Sequence, residues 1–113
     1  MTLCKTRNVL VILDEIQTGL GRTGRDFCFQ STSLKPDILV IGKSLGGGLL
    51  PISAVVTERK VMEVIGPGQH GSTFGGNPLA CAVARRALRL VRELDLNRNA
   101  ENIGRETMNR LSS

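Results

Sequence analysis

Two unbroken apolar runs constrain what this chain can fold into more than any other feature. Asn8 to Leu13 reads NVLVIL, and Asp37 to Ile41 reads DILVI with the breaker Pro36 just before it. Continuous β-branched runs without polar alternation are the pattern of strands covered on both faces, as in a parallel sheet. A third run, Ile52 to Val56 (ISAVV), follows Pro51. Only ten residues separate Ile41 from Ile52, four of them glycine. A crossover to a parallel neighbour takes about a dozen residues or more, so the third strand should run antiparallel to the second. The predicted fold class is α/β: a mostly parallel sheet with one antiparallel strand and helices on the faces.

The second half of the chain reads as helix. Glu58 to Ile65 suggests a short one, with Val61, Met62 and Ile65 on one side, followed by a loop over Gly66 to Gly76. Asn77-Pro78 is a helix start, with Asn as N-cap and Pro at the first helical position. Leu79, Val83, Ala87, Leu90 and Leu94 then recur at spacings of three and four, which predicts that they face inward. Arg85, Arg86, Arg89 and Arg92 fall on the solvent side. A last helix is expected over Ala100 to Leu111, with Ile103, Thr107 and Leu111 inward and Gly104 weakening it.

Composition narrows the function classes. A chain of 113 residues with 41% hydrophobic content suits one small domain with a modest core. The net charge of +5 raises the question of nucleic acid, but there is no Trp or Tyr and only three Phe to stack on bases. Ordinary solvated Arg and Lys account for the charge, and no nucleic-acid partner is expected. Cys4, Cys28 and Cys81 are odd in number and lack metal-type spacing, which reads as reduced thiols in an intracellular protein. No segment reaches the ~18 apolar residues of a bilayer span, and Val9 to Leu13 is too short for a signal-peptide core. No membrane partner is expected.

Two glycine motifs mislead. Gly19-Leu20-Gly21-Arg22-Thr23-Gly24 matches G-x-G-x-x-G, but Asp14 to Thr18 separate it from the strand and no amphipathic helix opens after it, as dinucleotide binding requires. Gly42-Lys43-Ser44 resembles the end of a P-loop, but Asp37 stands where its first glycine belongs, and the lysine ends a strand instead of opening a helix.

Two polar residues end apolar strands: Asp14 after VLVIL, and Lys43 after ILVIG. In open α/β sheets ligands bind outside the carboxyl ends of the strands, so parallel strands would turn both residues toward one crevice. A buried carboxylate and a buried amine there need partners. Pairing with each other, capping a helix and serving a cofactor are the alternatives. Pyridoxal phosphate asks for this pair: a lysine to bond its aldehyde, and a carboxylate to keep its ring nitrogen protonated. Glycines beside Lys43 would leave room for a flat ring.

Three blocks then carry a family resemblance. DEIQTGLGRTG (Asp14 to Gly24), PDILVIGKSLGGGLLPISAVV (Pro36 to Val56) and HGSTFGGNPLA (His70 to Ala80) resemble the signature blocks of class III, fold-type I, pyridoxal-phosphate aminotransferases. Details such as IQTGL and GSTFGGNP resemble the ornithine aminotransferase branch most, with acetylornithine and 4-aminobutyrate aminotransferases as near relatives. The resemblance implies pyridoxal 5'-phosphate as cofactor, amino-acid and 2-oxo-acid substrates, and a homodimer. It implies Lys43 as the residue that bonds the cofactor and carries the proton. Asp14 would hold the pyridinium nitrogen, Gln17 would lie near the phenolic oxygen, and Ile16 would pack on a ring face. Ser72 and Thr73 would reach the cofactor phosphate of a neighbouring subunit. His70 is given no role, and Arg22 and Arg25 read as surface or interface residues.

The resemblance also implies that residues 1–113 are an internal fragment of the cofactor-binding large domain. The N-terminal part with the phosphate cup and the small domain would be absent, and Met1 to Cys4 would fall inside a helix. Cytoplasm and mitochondrial matrix both suit such an enzyme. Two or three strands with helices on one face would leave apolar sheet uncovered, so the isolated chain is expected to be marginally stable and without activity of its own. A truncated form that only associates with full-length subunits is the alternative.

Overall fold

The computed structural model describes residues 2–112. Met1 lies outside the described residues, but Thr2 to Cys4 do open a helix, α1 (Thr2–Thr6). The chain then turns through Asn8, which has a left-handed backbone (φ 53°), and enters strand β1 (Ile12–Asp14). A long loop containing a 3₁₀ turn (Cys28–Ser31) leads to β2 (Ile38–Ile41). A second 3₁₀ turn (Lys43–Gly46) precedes β3 (Ala54–Thr57). Three helices follow: α2 (Arg59–Met62), α3 (Pro78–Glu93) and α4 (Leu96–Leu111).

The sheet has the predicted sense. β2 lies in the middle, parallel to β1 with Ile12 opposite Ile38, and antiparallel to β3 with Ile41 opposite Ala54. The first strand is shorter than the NVLVIL run. The Val11 N–H is taken by the Asp37 carboxylate at 2.8 Å, and the Val11 carbonyl accepts from both Asp37 and Ile38. A side chain thus replaces the ladder at that end. Asp37 also closes the other pair, its carbonyl accepting from the Thr57 hydroxyl at 2.7 Å.

The expectation of strands covered on both faces is corrected. One face carries Leu13, Leu39, Ile41 and Ala54, which pack with Leu45, Ala84, Phe27 and Phe29 into the core. The opposite face carries Ile12 and Val55, both more than half exposed. Alternation along β1 puts Asp14 on that open face and turns the next residue, Glu15, into the core side.

α3 starts where its signals place it: Asn77 accepts from the Ala80 N–H at 2.9 Å, and Pro78 is the first helical residue. Its buried face matches the prediction in part, since Val83, Ala87 and Leu90 are half-buried. Ala80 and Ala84 are buried, while Leu79 and Leu94 are largely exposed. Small residues allow the helix to approach closely: a Cβ on Gly47 would stand 3.5 Å from the Ala87 Cβ. Gly47 itself is left-handed (φ 60°) and ends the lysine-bearing turn. α4 begins four residues earlier than expected, at Leu96, after a left-handed Asp95 (φ 48°) turns the chain back. Asn97 ties it to the long loop by donating to the Asp26 carboxylate at 2.8 Å. The predicted inward positions Ile103, Thr107 and Leu111 are all exposed, as are the other described residues on that half of the helix.

Candidate cofactor site

Asp14 ends β1, and Lys43 follows β2 by two residues, so parallel pairing puts both at one edge of the sheet. Both are exposed, which corrects the expectation of a buried pair: among the described residues no element covers the crevice above the strand ends. They do not satisfy each other. The Lys43 Nζ donates to Gln17 Oε1 at 2.6 Å, and Asp14 Oδ1 accepts from the Ile16 N–H at 2.9 Å. Lys43 therefore has a neutral partner. Lys60 is a contrast: its amine sits 2.7 Å from Glu58, whose hydrogen bond and negative charge hold it protonated above the usual lysine range.

Lys43 also opens a 3₁₀ turn, which the P-loop comparison had denied it, and its backbone is left-handed at φ 43°. A non-glycine residue in that region costs on the order of 1 kcal/mol or more and persists only where its surroundings enforce it. The side chain here is worth that strain. The neighbouring glycines do less for a ligand than expected. A Cβ on Gly42 would meet Ser53 and Ile16 at 3.4 and 3.5 Å, and one on Gly46 would meet Ile52 at 3.7 Å. They serve packing of the protein on itself.

On one side Lys43 lines a cavity of about 470 Å³ with Ser53, Ser72, Phe74, Gly75 and Gly76. That is within the usual size range of small-molecule and cofactor sites. On its other side it meets Gln17, and Ile16 packs beside Gly42. Of the residues singled out in the sequence, Lys43 and Ser72 share the cavity, Gln17 reaches the amine, and Asp14 and Ile16 stand at the adjoining strand end. Thr73 does not line the cavity. The Ser72 hydroxyl accepts from the Gly75 N–H at 3.0 Å, so it also shapes its own loop. An amine and a hydroxyl on the wall of a cavity of this size, with an amide bonded to the amine and a carboxylate at the adjoining strand end, suit a phosphorylated aromatic aldehyde. Arg22 is exposed and donates to the Ser44 hydroxyl at 2.7 Å, and Arg25 is exposed, as a surface reading requires.

One residue escaped the sequence reading. Glu15 is only 5% exposed. Its Oε1 accepts from the Phe29 N–H at 2.8 Å, and its Oε2 from the Cys28 N–H at 3.1 Å and from the Thr18 hydroxyl. The available signal was the pair of adjacent acids at a strand end: in an alternating strand one of two neighbours must face inward.

The mixed α/β sheet with a lysine at its edge can be set beside known proteins. The family model for class III aminotransferases matches residues 1–113, and the chain belongs to that family. It is 58% identical over 102 residues to ornithine aminotransferase 1 of Staphylococcus saprophyticus, covering 90% of this chain and 26% of that protein. It is 51% identical over 109 residues to the ornithine aminotransferase of Bordetella pertussis, covering 96% and 26%. Among solved structures, an ornithine aminotransferase from Toxoplasma gondii, with partial occupancy of pyridoxal phosphate at its active site, superposes with a TM-score of 0.95. Its identity is 53%, over 97% of this chain and 26% of that one. An acetylornithine aminotransferase from Elizabethkingia anophelis gives 0.88 at 54% identity, over 92% and 26%. The chain thus spans about a quarter of the length of these relatives.

Proposed function

We propose that the chain is the cofactor-bonding segment of an ornithine aminotransferase, part of a large domain that works as a homodimer. The reaction would exchange the δ-amino group of ornithine for the oxo group of 2-oxoglutarate, giving glutamate semialdehyde and glutamate. The observation that carries the reading is the Lys43 amine, held on a left-handed turn by a neutral amide at the edge of a cavity. When bound, pyridoxal 5'-phosphate supplies a protonated ring that accepts the electron pair left as the substrate carbon loses its proton. Lys43 Nζ would bond the cofactor, then take up and return that proton. Gln17 would orient the amine by accepting its hydrogen bond. Asp14, with one oxygen turned to the Ile16 N–H, offers its negative charge to the ring nitrogen. Ser72 and Thr73 would donate to the phosphate of the neighbouring subunit, and Ile16 would pack on the ring.

An acetylornithine substrate is the second reading. It is favoured by the 54% identity to the acetylornithine enzyme, beside 53% to the Toxoplasma ornithine enzyme. The choice of amino donor would lie in parts of such proteins that this segment does not match. Three unpaired cysteines suit a reducing compartment inside the cell. The test is to titrate the chain with pyridoxal 5'-phosphate, reduce with borohydride and map the label by peptide mass spectrometry. Label on Lys43 that disappears in Lys43→Ala is the expected result, and label spread evenly over Lys5, Lys35, Lys43 and Lys60 overturns the assignment. Exchange of the chain for the matching segment of the Staphylococcus enzyme, followed by assay with ornithine and acetylornithine, tests the activity.

A further inference from the structure

We propose that Glu15 is a positioning residue: its buried carboxylate clamps both ends of the loop that carries Gln17, and through Gln17 it holds the Lys43 amine. The proposal rests on the reading of Lys43 as the cofactor-bonding residue. A carboxylate out of water is tolerated only when its lone pairs are satisfied, and Glu15 meets that condition with donors from three different residues. Those donors share a geometry. Thr18 stands three residues after Glu15, and Cys28 and Phe29 stand at the far end of the loop. One side chain therefore closes a loop of about a dozen residues that has no strand partner.

The backbone of Glu15 joins the same clamp. Its N–H donates to the Val40 carbonyl at 2.9 Å, extending the β1–β2 pairing by one step, and its carbonyl accepts from Gly19 at 2.9 Å. A Cβ on Gly19 would stand 2.8 Å from that carbonyl oxygen, so only glycine fits the turn. Behind it, Phe27 and Phe29 stack at 5.9 Å and pack on the core.

Gln17 lies inside this closed segment, two residues beyond Glu15, and is itself exposed. A hydrogen bond between two long exposed side chains contributes little unless their backbones are fixed, because ordering each side chain costs about as much as the bond returns. The Glu15 clamp provides the fixed base, and the strained turn at Lys43 provides the other.

The probe is pyridoxal 5'-phosphate, reduced onto the chain with borohydride and read as the labelled fraction of Lys43 relative to Lys5, Lys35 and Lys60. The wild-type chain should favour Lys43 several-fold. Gln17→Ala and Glu15→Ala should each remove most of that preference, and the double variant should lose no more than either alone, since both break one linkage. Thr18→Val, which deletes one of the three donors and keeps the carboxylate, should give an intermediate loss. Glu106→Ala, which removes an exposed ion pair with Arg110 on the far half of α4, should leave the preference intact. Should Glu15→Ala prevent folding by circular dichroism, Glu15→Gln and Thr18→Val carry the comparison. A wild-type chain with no preference overturns the cofactor reading itself. A wild-type preference that Glu15→Ala leaves unchanged, or losses that add in the double variant, overturn the role of Glu15 alone.

Discussion

At Lys43 the requirements of chemistry and of backbone comfort separate. The left-handed φ of 43° is one that glycine adopts freely. Replacing the lysine by glycine should therefore give a chain about 1 kcal/mol more stable than replacing it by alanine, read from urea midpoints, while both lose the borohydride-fixed label. Asn77 is a residue whose value is wholly structural. Its carboxamide satisfies the Ala80 N–H at the start of α3, and Asn77→Ala should cost about 1 kcal/mol with no change in which lysine is labelled. Asp14 and Glu15 show how two like residues side by side take unlike tasks: the strand's alternation leaves one at the open edge and buries the other among amide donors.

At the scale of elements, the small residues of α3 set how near the helix comes to the lysine turn. Ala84 is buried against Leu45 and Ile41, and Ala84→Leu should cost roughly 1–3 kcal/mol by overpacking, visible as a lower melting temperature. The sense of the sheet was legible because ten residues cannot make a parallel crossover, and the start of α3 was legible from Asn77-Pro78. The stripe that α3 buries was legible in part. Periodicity weighs Leu79 and Leu94 above alanines, but close approach to Gly47 selects alanine over leucine. The candidate site was legible at Asp14 and Lys43, where polar residues end apolar runs, while Gln17 entered only through the family resemblance. The clamp at Glu15 was hidden because its donors are backbone amides of Cys28 and Phe29, which no side-chain pattern records.

The whole molecule is a slab. Its radius of gyration is 16.8 Å and its extents are 55 × 42 × 21 Å, against about 13 Å for a compact domain of this length. Its accessible surface is 8769 Å², where a monomer of this mass exposes about 6,100 Å². The excess is apolar in large part, with Ile12 and Val55 on the open sheet face and Ile103 and Leu111 along α4. Free in solution the chain should self-associate and bind a hydrophobic dye. Ile12→Thr combined with Val55→Thr should reduce both effects, measured by sedimentation velocity and dye fluorescence.

α3 is 16 residues long, so it spans about 24 Å. Its first turn is anchored just after the serine-bearing loop, and its middle rests on the turn that carries the amine. The helix is thus a ruler between hydroxyl and amine. A shift of α3 along its own axis would therefore move the serine-bearing loop against a lysine turn that is fixed to β2, and so would change the distance from hydroxyl to amine while leaving the acid at the end of β1 in place beside the lysine strand.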